Sequence, residues 1–413
     1  MELHPFRAVR PTRAEAARVA SPPYDVVNSQ EARAMAAGNE ASFLHVIKPE
    51  IDLPEGTGPY EDSVYEEAAS QLQRLLQDGI MAQDEAPALW AYRQIMDGRA
   101  QVGIVGCSNV EDYALERIKR HEYTRPDKEN DRTRHVDTTN ANAGPVFLAC
   151  RGTSDLQSLI DDWTSGTPEF DFVGWNGVQH TLWRITDASQ LDRAATVYQG
   201  IDSFYIADGH HRAASAWRVR ELRKKRNNDT DGTEPWNRFL TVVFPEEQLR
   251  ILAYNRVVHD LHDLSPEAFL EQVSERFEVG PVGANPIPSM RHSFSMFLGG
   301  NWYSLTARPE IVDETDSVAC LDVAILQDHL LGPVLGVQDP RTNKRIQFVG
   351  GIRGTDELER LVAEGNYHGV AFSMYPTALA ELFAVADAGR VMPPKSTWFE
   401  PKLASGLLVY PLS

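Results

Sequence analysis

The chain of 413 residues carries 59 acidic and 40 basic side chains, and its net charge of −19 argues against nucleic acids and anionic membranes as partners. Its hydrophobic content of 42% is typical of a folded globular protein, and its length predicts two or three packed units. It has neither a run of about 18 apolar residues nor a signal-peptide pattern, so we expect a cytoplasmic protein.

Residues 1–150 are predicted to form an N-terminal α/β region. Apolar residues recur at helical spacing in two segments, and strand-like apolar runs follow them. Between two of these runs lies the segment 117–142, which is dense in charge and nearly free of apolar residues. We interpret it as a charged loop. The predicted helices are 13–19 and 62–78, and the predicted strands are 89–92, 102–106 and 145–149.

Residues 151–262 form the second predicted region, which carries strands and one helix. Its strands are expected at 180–185, 204–207 and 239–244, with a helix at 213–226 and a hydrophilic turn at 227–232. The C-terminal region, 263–413, is predicted to be α+β. It opens with a helix at 265–277, with Ser265 as N-cap and Pro266 next, and continues with a strand pair at 293–298 and 302–307 and a helix at 323–331.

The loop from Asp208 to Arg212 (DGHHR) is the strongest candidate for chemistry. It lies between a predicted strand and a helix of small residues, and Gly209 permits a tight turn there. The N-terminus of a helix offers unpaired backbone N–H groups to an anion, and Arg212 with one histidine can add donors. The sequence therefore predicts a phosphate site. The alternative is a capped helix whose polar side chains only satisfy backbone groups.

The same loop contains residue types that bind metals, namely Asp208, His210 and His211. Adjacent side chains on an extended segment point to opposite sides, so both histidines face one ion only if the chain bends. We therefore favour phosphate, with Asp208 either orienting the turn or binding Mg²⁺.

The charged segment 117–142 is predicted to close over a charged ligand. Its cations suit phosphates, and its carboxylates suit a catalytic base or a Mg²⁺ ligand. The alternative is a mobile, solvated loop. Glu122 is the candidate base, and the candidate cations are Arg125, Lys128, Arg132 and Arg134. Of these, Arg125 and Lys128 are predicted to bind the nucleotide. The predicted substrate-binding residues are His121, Arg134 and Asp137.

Two further motifs place candidate site residues directly after a pair of prolines. Pro22 and Pro23 are rigid residues that precede Asp25, a substrate-binding candidate. Near the C-terminus, a second proline pair precedes the cofactor-binding candidates Lys395, Ser396 and Thr397. The sequence has no GxSxG, GxxxxGK[ST] or HExxH motif.

Five motifs can be compared with known families: Pro22–Asp25 (PPYD), Ser42–Val46 (SFLHV), His121–Pro126 (HEYTRP), Asp208–Arg212 (DGHHR) and Met392–Thr397 (MPPKST). Together they resemble, along essentially the whole chain, a bacterial and archaeal family known as domain of unknown function 1015. The order strand, DGHHR, helix, strand is also remotely similar to the phosphate-binding box of the ParB/sulfiredoxin superfamily. That superfamily includes nucleotide-using enzymes and free-serine kinases.

The second resemblance implies a mixed α/β fold (α+β) with a ParB/sulfiredoxin-like nucleotide-binding core, a large N-terminal insertion and a C-terminal α+β region. It also implies that Gly209, His211 and Arg212 bind nucleotide phosphates. The sequence departs from that pattern because about 200 residues precede the box. The usual N-terminal strand with the catalytic acid is not identifiable.

We predict a kinase that uses ATP or ADP with Mg²⁺ to phosphorylate a small polar metabolite, with free L-serine as the substrate that the resemblance suggests. Glu122, Asp208 and His210 are its catalytic candidates. The alternatives are a phosphatase or other hydrolase of a phosphorylated metabolite such as phosphoserine, through phosphohistidine at His210 or His211, and a non-catalytic nucleotide-sensing regulator. The expected partners are a small substrate and a nucleotide. Whether the chain forms a homodimer is not predicted.

Overall fold

The computed structural model describes residues 1–227 and 231–413 and has a mixed α/β fold, as predicted. It divides into two compact units: unit 1 comprises Met1–Leu249 and Pro401–Ser413, and unit 2 comprises Arg250–Glu400. The boundary predicted near 150 falls inside unit 1, because strands from both sides of it pair in one sheet. The boundary predicted near 262 falls inside unit 2. Residues 228–230 of the predicted turn lie outside the described residues.

Unit 1 contains the first nine helices and eleven strands of the described chain and its last strand, numbered in chain order. The helices are α1 (Ala16–Val19), α2 (Ser29–Ala36), α3 (Leu44–Ile47), α4 (Asp62–Gln77), α5 (Val110–Ala114), α6 (Pro126–Thr139), α7 (Ser154–Thr164), α8 (Ala188–Gln199) and α9 (His210–Arg226). The strands are β1 (Val9–Pro11), β2 (Met81–Gln83), β3 (Leu89–Met96), β4 (Arg99–Asn109), β5 (Ile118–Lys119), β6 (Ala141–Asn142), β7 (Val146–Cys150), β8 (Phe170–Val173), β9 (Gln179–Ile185), β10 (Phe204–Asp208), β11 (Arg238–Pro245) and β20 (Tyr410–Pro411).

The main sheet of unit 1 has eight strands among the described residues, in the order β5-β10-β7-β11-β4-β3-β9-β8. Its pairing is mixed: β10 runs parallel to β5, and β11 runs parallel to β7, whereas the other neighbours are antiparallel. β7 and most of β10 are continuous buried runs, as expected for strands covered on both faces. Because β5 and β10 are parallel, the residues that follow them lie at the same edge of the sheet.

Two hydrophobic cores stabilise unit 1. One packs the sheet against α7, α8 and α9 and includes Leu148, Trp163, Tyr198 and Ile206. The other includes Phe43 and residues of α2, α3 and α4, together with Val409 from the C-terminal segment. The C-terminal segment also supplies β20, which pairs with β6, so residues 401–413 are an integral part of unit 1.

Unit 2 contains a sheet of six antiparallel strands among the described residues. Their order across the sheet is Phe277–Val282, Asn301–Ala307, Ser293–Leu298, Val370–Met374, Tyr254–Val258 and Ile346–Gly350. The predicted helix at 265–277 is present as α10, and Ser265 Oγ caps it by accepting from the Ala268 N–H at 3.2 Å. The helices are α10 (Pro266–Ser274), α11 (Asp322–Leu326), α12 (Asp356–Glu364) and α13 (Leu379–Asp387), and the strands are β12 (Ile251–Leu252), β13 (Tyr254–Val258), β14 (Phe277–Val282), β15 (Ser293–Leu298), β16 (Asn301–Ala307), β17 (Ile346–Gly350), β18 (Val370–Met374) and β19 (Trp398–Phe399).

The segment 117–142, predicted to be a charged loop, is mostly ordered secondary structure. It contains the strand β5, the helix α6 and the strand β6, and this corrects the prediction. Pro126 occupies the first turn of α6, where its fixed φ favours a helix. The buried side chains of α6 are polar, including Asp131, Thr133 and His135, so the sequence lacks the apolar periodicity that would have indicated a helix.

None of the helices among the described residues has the length and apolar character that a membrane crossing requires.

Candidate functional site

A strand, a glycine turn and a helix place the Asp208–Arg212 loop at one edge of unit 1. β10 ends at Asp208, Gly209 has a left-handed φ of 95°, and α9 begins at His210. A Cβ at residue 209 would lie 2.9 Å from Arg212 Nε. Glycine is therefore favoured both by the backbone conformation and by the close approach of Arg212.

The Arg212 guanidinium closes this turn. Its Nη2 donates to Asp208 Oδ2 at 2.8 Å, and its Nη1 donates to the Pro145 carbonyl just before β7. Burial disfavours the charge, but Asp208 and Asp25 outweigh burial and raise the pKa of Arg212. Within the described chain, Nε of this group has no hydrogen-bond partner. The guanidinium that was predicted to bind phosphate is thus largely engaged in holding the turn.

Asp208 is held between two cations. Besides Arg212, the ammonium of Lys402 approaches its carboxylate, with Nζ 3.5 Å from Oδ1. Burial would raise the pKa of Asp208, but Lys402 and Arg212 lower it to about 2. Asp208 is therefore ionised at neutral pH.

Two buried histidines pack together where β5 and β10 end. The rings of His121 and His210 are 4.6 Å apart between centroids, with their planes at 88°. Burial is the main reason that the pKa of each falls to about 3, and for His121 the neighbouring His210 contributes as well. Both imidazoles are therefore neutral at physiological pH. A backbone hydrogen bond joins His121 to Ile206 of β10.

His211 links α9 to the segment before α6. Its Nε2 accepts a hydrogen bond from the Arg125 N–H at 3.0 Å. Burial lowers the pKa of His211, although the carboxylates of Glu122, Asp25 and Glu129 act in the opposite direction. Neutral His211 consequently carries its proton on Nδ1.

A small cavity of about 40 Å³ lies next to this turn in unit 1. Arg132 and Tyr24 stack in its wall, with the guanidinium carbon 4.1 Å from the ring centroid. The buried His135 also lines it, and its Nε2 lies 2.8 Å from the Val46 carbonyl oxygen. The motifs PPYD, SFLHV, HEYTRP and DGHHR therefore lie close together in unit 1. The lining residues are Pro23, Tyr24, Ile47, Arg132, His135, Val136, Asn142, Ala143, Gly144, Val146, Arg212, Phe239, Leu240 and Ser405.

The motifs that lie close together here are four of the five on which the family resemblance rests. A family model described as "Protein of unknown function (DUF1015)" matches residues 3–324. The chain belongs to the DUF1015 family. The matched residues include the PPYD, SFLHV, HEYTRP and DGHHR motifs of this DUF1015 protein, whereas Lys402 lies beyond them. A comparison with curated proteins finds no match.

Several solved structures are similar to this DUF1015 protein at low sequence identity. SbnI with a C-terminal truncation, from Staphylococcus aureus, is 12% identical, with 74% of this chain and 86% of that chain covered and a TM-score of 0.38. A variant of a free serine kinase in complex with AMP is 14% identical, with 73% and 92% covered and a TM-score of 0.36. A conserved hypothetical protein from Pyrococcus furiosus is 14% identical, with 73% and 95% covered and a TM-score of 0.33. Because the sequence identities and TM-scores are this low, the function has to be argued from the residues of this chain.

The described residues of this DUF1015 protein contain no group of three or more His, Cys, Asp or Glu side chains that could hold a metal ion. Asp208, the predicted Mg²⁺ ligand, is instead paired with Lys402 and Arg212. Two cations on one carboxylate repel a divalent ion, so the prediction of a metal held by Asp208 does not fit the structure.

The side chains of four charged candidates from the segment 117–142 pair with residues outside the DGHHR turn, although the backbone N–H of Arg125 donates to His211. The Arg125 guanidinium pairs with Asp127 at 2.8 Å, and Lys128 Nζ donates to the Tyr60 hydroxyl at 3.2 Å. Arg134 donates to the Tyr60 carbonyl at 2.9 Å. Asp137 pairs with Arg223 and Arg226, which lie in the last turn of α9, at the opposite end from the DGHHR turn. The structure therefore gives Asp137 a role in packing α6 against α9.

The MPPKST candidates belong to unit 2. Lys395 has a φ of 60°, and its ammonium lies 5.6 Å from the centroid of the Tyr254 ring. Ser396 is buried, and its Oγ donates to the Pro393 carbonyl at 2.6 Å, so this hydroxyl stabilises the turn. Thr397 lies immediately before the strand β19.

Sequence reasoning did not identify Tyr24, His135 or Lys402 as parts of the site. Tyr24 could have been found, because it stands between Pro23 and Asp25 in a motif that was singled out. His135 belongs to α6, whose sequence shows no apolar periodicity that would have indicated a helix or a buried face. Lys402 ends the segment 392–402 that begins with the MPPKST motif, but no role was predicted for it.

Proposed function

We propose that this DUF1015 protein is a nucleotide-dependent phosphotransferase that acts on a small polar metabolite. One observation carries the proposal: the PPYD, HEYTRP and DGHHR motifs and Lys402 meet around the N-terminal turn of α9. There the first backbone N–H groups of a 17-residue helix have no intrahelical acceptor, and the positive end of the helix dipole lies at the same place.

The binding of phosphate is assigned mainly to the backbone in this proposal. The N–H groups of His210, His211 and Arg212 would donate to phosphate oxygens, while the Arg212 side chain keeps Asp208 and Gly209 in place. Phosphoryl transfer requires positioning and neutralisation of charge more than covalent chemistry by the protein. A turn held by an ion pair would meet the first requirement, and the positive end of the α9 dipole would meet the second.

Glu122 is the proposed general base. Its carboxylate lies close enough to His121 and His211 to oppose part of the lowering of their pKa values by burial. It would accept the proton of the substrate hydroxyl as that oxygen forms its bond to the transferred phosphorus and the nucleotide leaves with one phosphate fewer. Asp25, which also acts on His211, would orient the substrate.

ATP or ADP is the proposed cofactor, and Mg²⁺ would bind through its phosphates. This is the usual mode when few protein ligands are available, and it agrees with the lack of a carboxylate cluster among the described residues. Free L-serine is the first substrate to test.

A second candidate, hydrolysis of a phosphorylated metabolite, is favoured by one observation. His210 is neutral and buried, and its Nε2 has no hydrogen-bond partner in the described part of the chain. A neutral imidazole nitrogen is a competent nucleophile for a phosphohistidine intermediate. In that reaction water, rather than a hydroxy compound, would finally accept the phosphoryl group.

A binding screen followed by product analysis distinguishes the two reactions. Thermal unfolding is measured with ATP, ADP, CTP, serine and phosphoserine, and the products are identified by phosphorus NMR. A nucleotide present at 100 times its Kd adds about 2.7 kcal/mol to the free energy of unfolding. We expect stabilisation by ATP or ADP and phosphate transfer to the hydroxy compound. Hydrolysis of phosphoserine without stabilisation by any nucleotide would overturn the kinase proposal in favour of the hydrolase.

A further inference from the structure

A cavity of about 420 Å³ in unit 1 lies apart from the DGHHR turn. It is formed by the end of β1, the strand β2 with the segment that follows it, and the end of β9. Strand β9 is five places from β10 in the order of the main sheet, which corresponds to about 24 Å at the usual spacing of strands. The volume is in the range that is usual for small-molecule sites. The cavity is therefore a second candidate site, separate from the turn proposed to bind nucleotide.

Two arginines converge on a buried carboxylate in the lining of this cavity. The Asp84 side chain is only 4% exposed, and Arg10 Nε donates to its Oδ1 at 2.8 Å. Arg184 Nε lies 3.4 Å from Oδ2 without completing a hydrogen bond. Arg10 also pairs with Glu169 at 3.1 Å, and its guanidinium carbon lies 5.5 Å from the centroid of the Trp90 ring. These contacts hold both guanidiniums in place, and Arg184 is the less fully engaged of the two.

Arg184 and Glu85 line the cavity close to each other but do not pair. Arg184 Nη2 donates to the Ala86 carbonyl at 3.2 Å, so its guanidinium lies beside the segment 84–86 that contains Glu85. The Arg184 side chain is 26% exposed, and Glu85 is exposed. Among the described residues, Glu85 has no ion-pair or hydrogen-bond partner. One cavity thus presents a guanidinium edge and a carboxylate that are both accessible to a ligand.

The charges of the lining favour a zwitterion over a simple ion. Arg10 and Arg184 contribute two positive charges to the lining, and Asp84 and Glu85 contribute two negative charges. A ligand with a net charge would be repelled by one half of this balanced set. A ligand that carries a carboxylate and an ammonium a few ångströms apart is attracted by both halves. That combination on a small molecule is the α-amino acid group.

We propose that this cavity binds a free α-amino acid, with its carboxylate on the outward N–H groups of Arg184 and its ammonium on Glu85. A guanidinium has five N–H donors, and those of Arg184 that its protein contacts leave unused form charge-assisted hydrogen bonds to the ligand carboxylate. Glu85 accepts from the ammonium in the same way. The inference does not depend on the proposed nucleotide-dependent function, because the two sites are separate and the amino acid undergoes no reaction here.

A binding screen with two kinds of analogue tests the recognition of both charges. Thermal unfolding is measured with each of the standard amino acids, and the one that stabilises the wild-type protein most is titrated by calorimetry. Its amide lacks the carboxylate, and its N-acetyl derivative lacks the ammonium. We expect each analogue to bind at least about tenfold more weakly than the parent amino acid, as for loss of a charged hydrogen bond.

Two substitutions assign the binding to this cavity. Arg184→Gln and Glu85→Gln should each weaken binding of the amino acid at least about tenfold. Lys224→Gln and Asp202→Asn are the matched controls. They remove the same charges from exposed positions, near the end of α9 and just before β10, and should change the affinity by less than about twofold. Glu85 makes no contact whose loss would unfold the chain, so its variant keeps the test decisive even if Arg184→Gln is unstable.

The outcomes separate this inference from the proposed function. If no amino acid stabilises the protein, or if the tightest one binds Glu85→Gln as well as wild type, the cavity is not an amino-acid site, whatever the result with ADP. Analogues that bind within about twofold of the parent amino acid would also overturn it. Glu85→Gln should leave the affinity for ADP within about twofold of wild type, so failure of ADP to bind would count against the nucleotide function alone.

Discussion

The Asp208–Arg212 pair is the residue-scale feature on which the site depends. Arg212 was predicted to bind phosphate itself, but it reaches back to Asp208 and to the Pro145 carbonyl, and so it determines the geometry of the turn. The exposed fractions of the two side chains are 11% for Arg212 and 27% for Asp208. Removing one partner of such a pair leaves an uncompensated, poorly solvated charge.

Asp208→Asn should therefore lower the free energy of unfolding by about 3 kcal/mol, measured by urea denaturation at pH 7. The folded-state pKa of Asp208, about 2, lies below its ordinary value of 3.8, so its stabilising effect is present above pH 3.8 and is lost as the pH falls towards 2. Asp192→Asn, an exposed site on α8, is the control and should change stability by less than about 0.5 kcal/mol. Equal effects of the two substitutions would contradict the importance of the pair.

The buried histidines make the free energy of unfolding depend on pH over a higher pH range than Asp208 does. His210 has a folded-state pKa of about 3 against an ordinary value of 6.5, so the unfolded chain binds the extra proton between these values. Stability should consequently fall as the pH falls from 6.5 towards 3, by about 1.4 kcal/mol per pH unit for each such histidine. His210→Asn should reduce the slope of unfolding free energy against pH by about that amount. An unchanged slope would mean that His210 is protonated in the folded state.

At the scale of elements, α6 shows why a charged sequence can be helical and structural. Its contacts with α9 are largely polar, including hydrogen bonds from Arg218 to Asn130 and from Ser215 to the Glu129 carbonyl. Asp137 adds ion pairs to Arg223 and Arg226. Helix packing is usually read from apolar periodicity, so this interface could not be recognised from the sequence.

Asp137→Asn tests whether this carboxylate packs helices or binds substrate. Loss of its ion pairs should lower the free energy of unfolding by about 1–2 kcal/mol. The affinity for ADP and the KM for the hydroxy substrate should stay within about twofold of wild type, because Asp137 lies at the far end of α9. A large rise in KM with unchanged stability would restore the predicted substrate role.

Gly209→Ala tests the turn between β10 and α9. The left-handed φ of 95° and the 2.9 Å approach to Arg212 both oppose a side chain, so we expect a loss of about 1–3 kcal/mol in stability. Nucleotide affinity should fall as well, since the N–H groups of the first turn of α9 would shift. Gly389→Ala is the control for φ alone, because Gly389 has a φ of 65° and a Cβ at this position would meet no atom within 4 Å.

For the whole molecule, the sequence predicted local features well and long-range assembly poorly. The strand, turn and helix around DGHHR, the hairpin of β15 and β16 and the capped start of α10 follow from local patterns, and all are present. The pairing of β5 with β10 and the insertion of residues 401–413 into unit 1 depend on contacts between distant segments. For the same reason the ion pair between Lys402 and Asp208 could not be predicted from the sequence.

The central claim is that nucleotide phosphates bind at the N-terminal turn of α9. A crystal structure of the protein with a non-hydrolysable ATP analogue and Mg²⁺ tests it most directly. The account predicts phosphate oxygens within about 3 Å of the N–H groups of His210, His211 and Arg212. A nucleotide bound elsewhere in the protein, with this turn still empty, would contradict it.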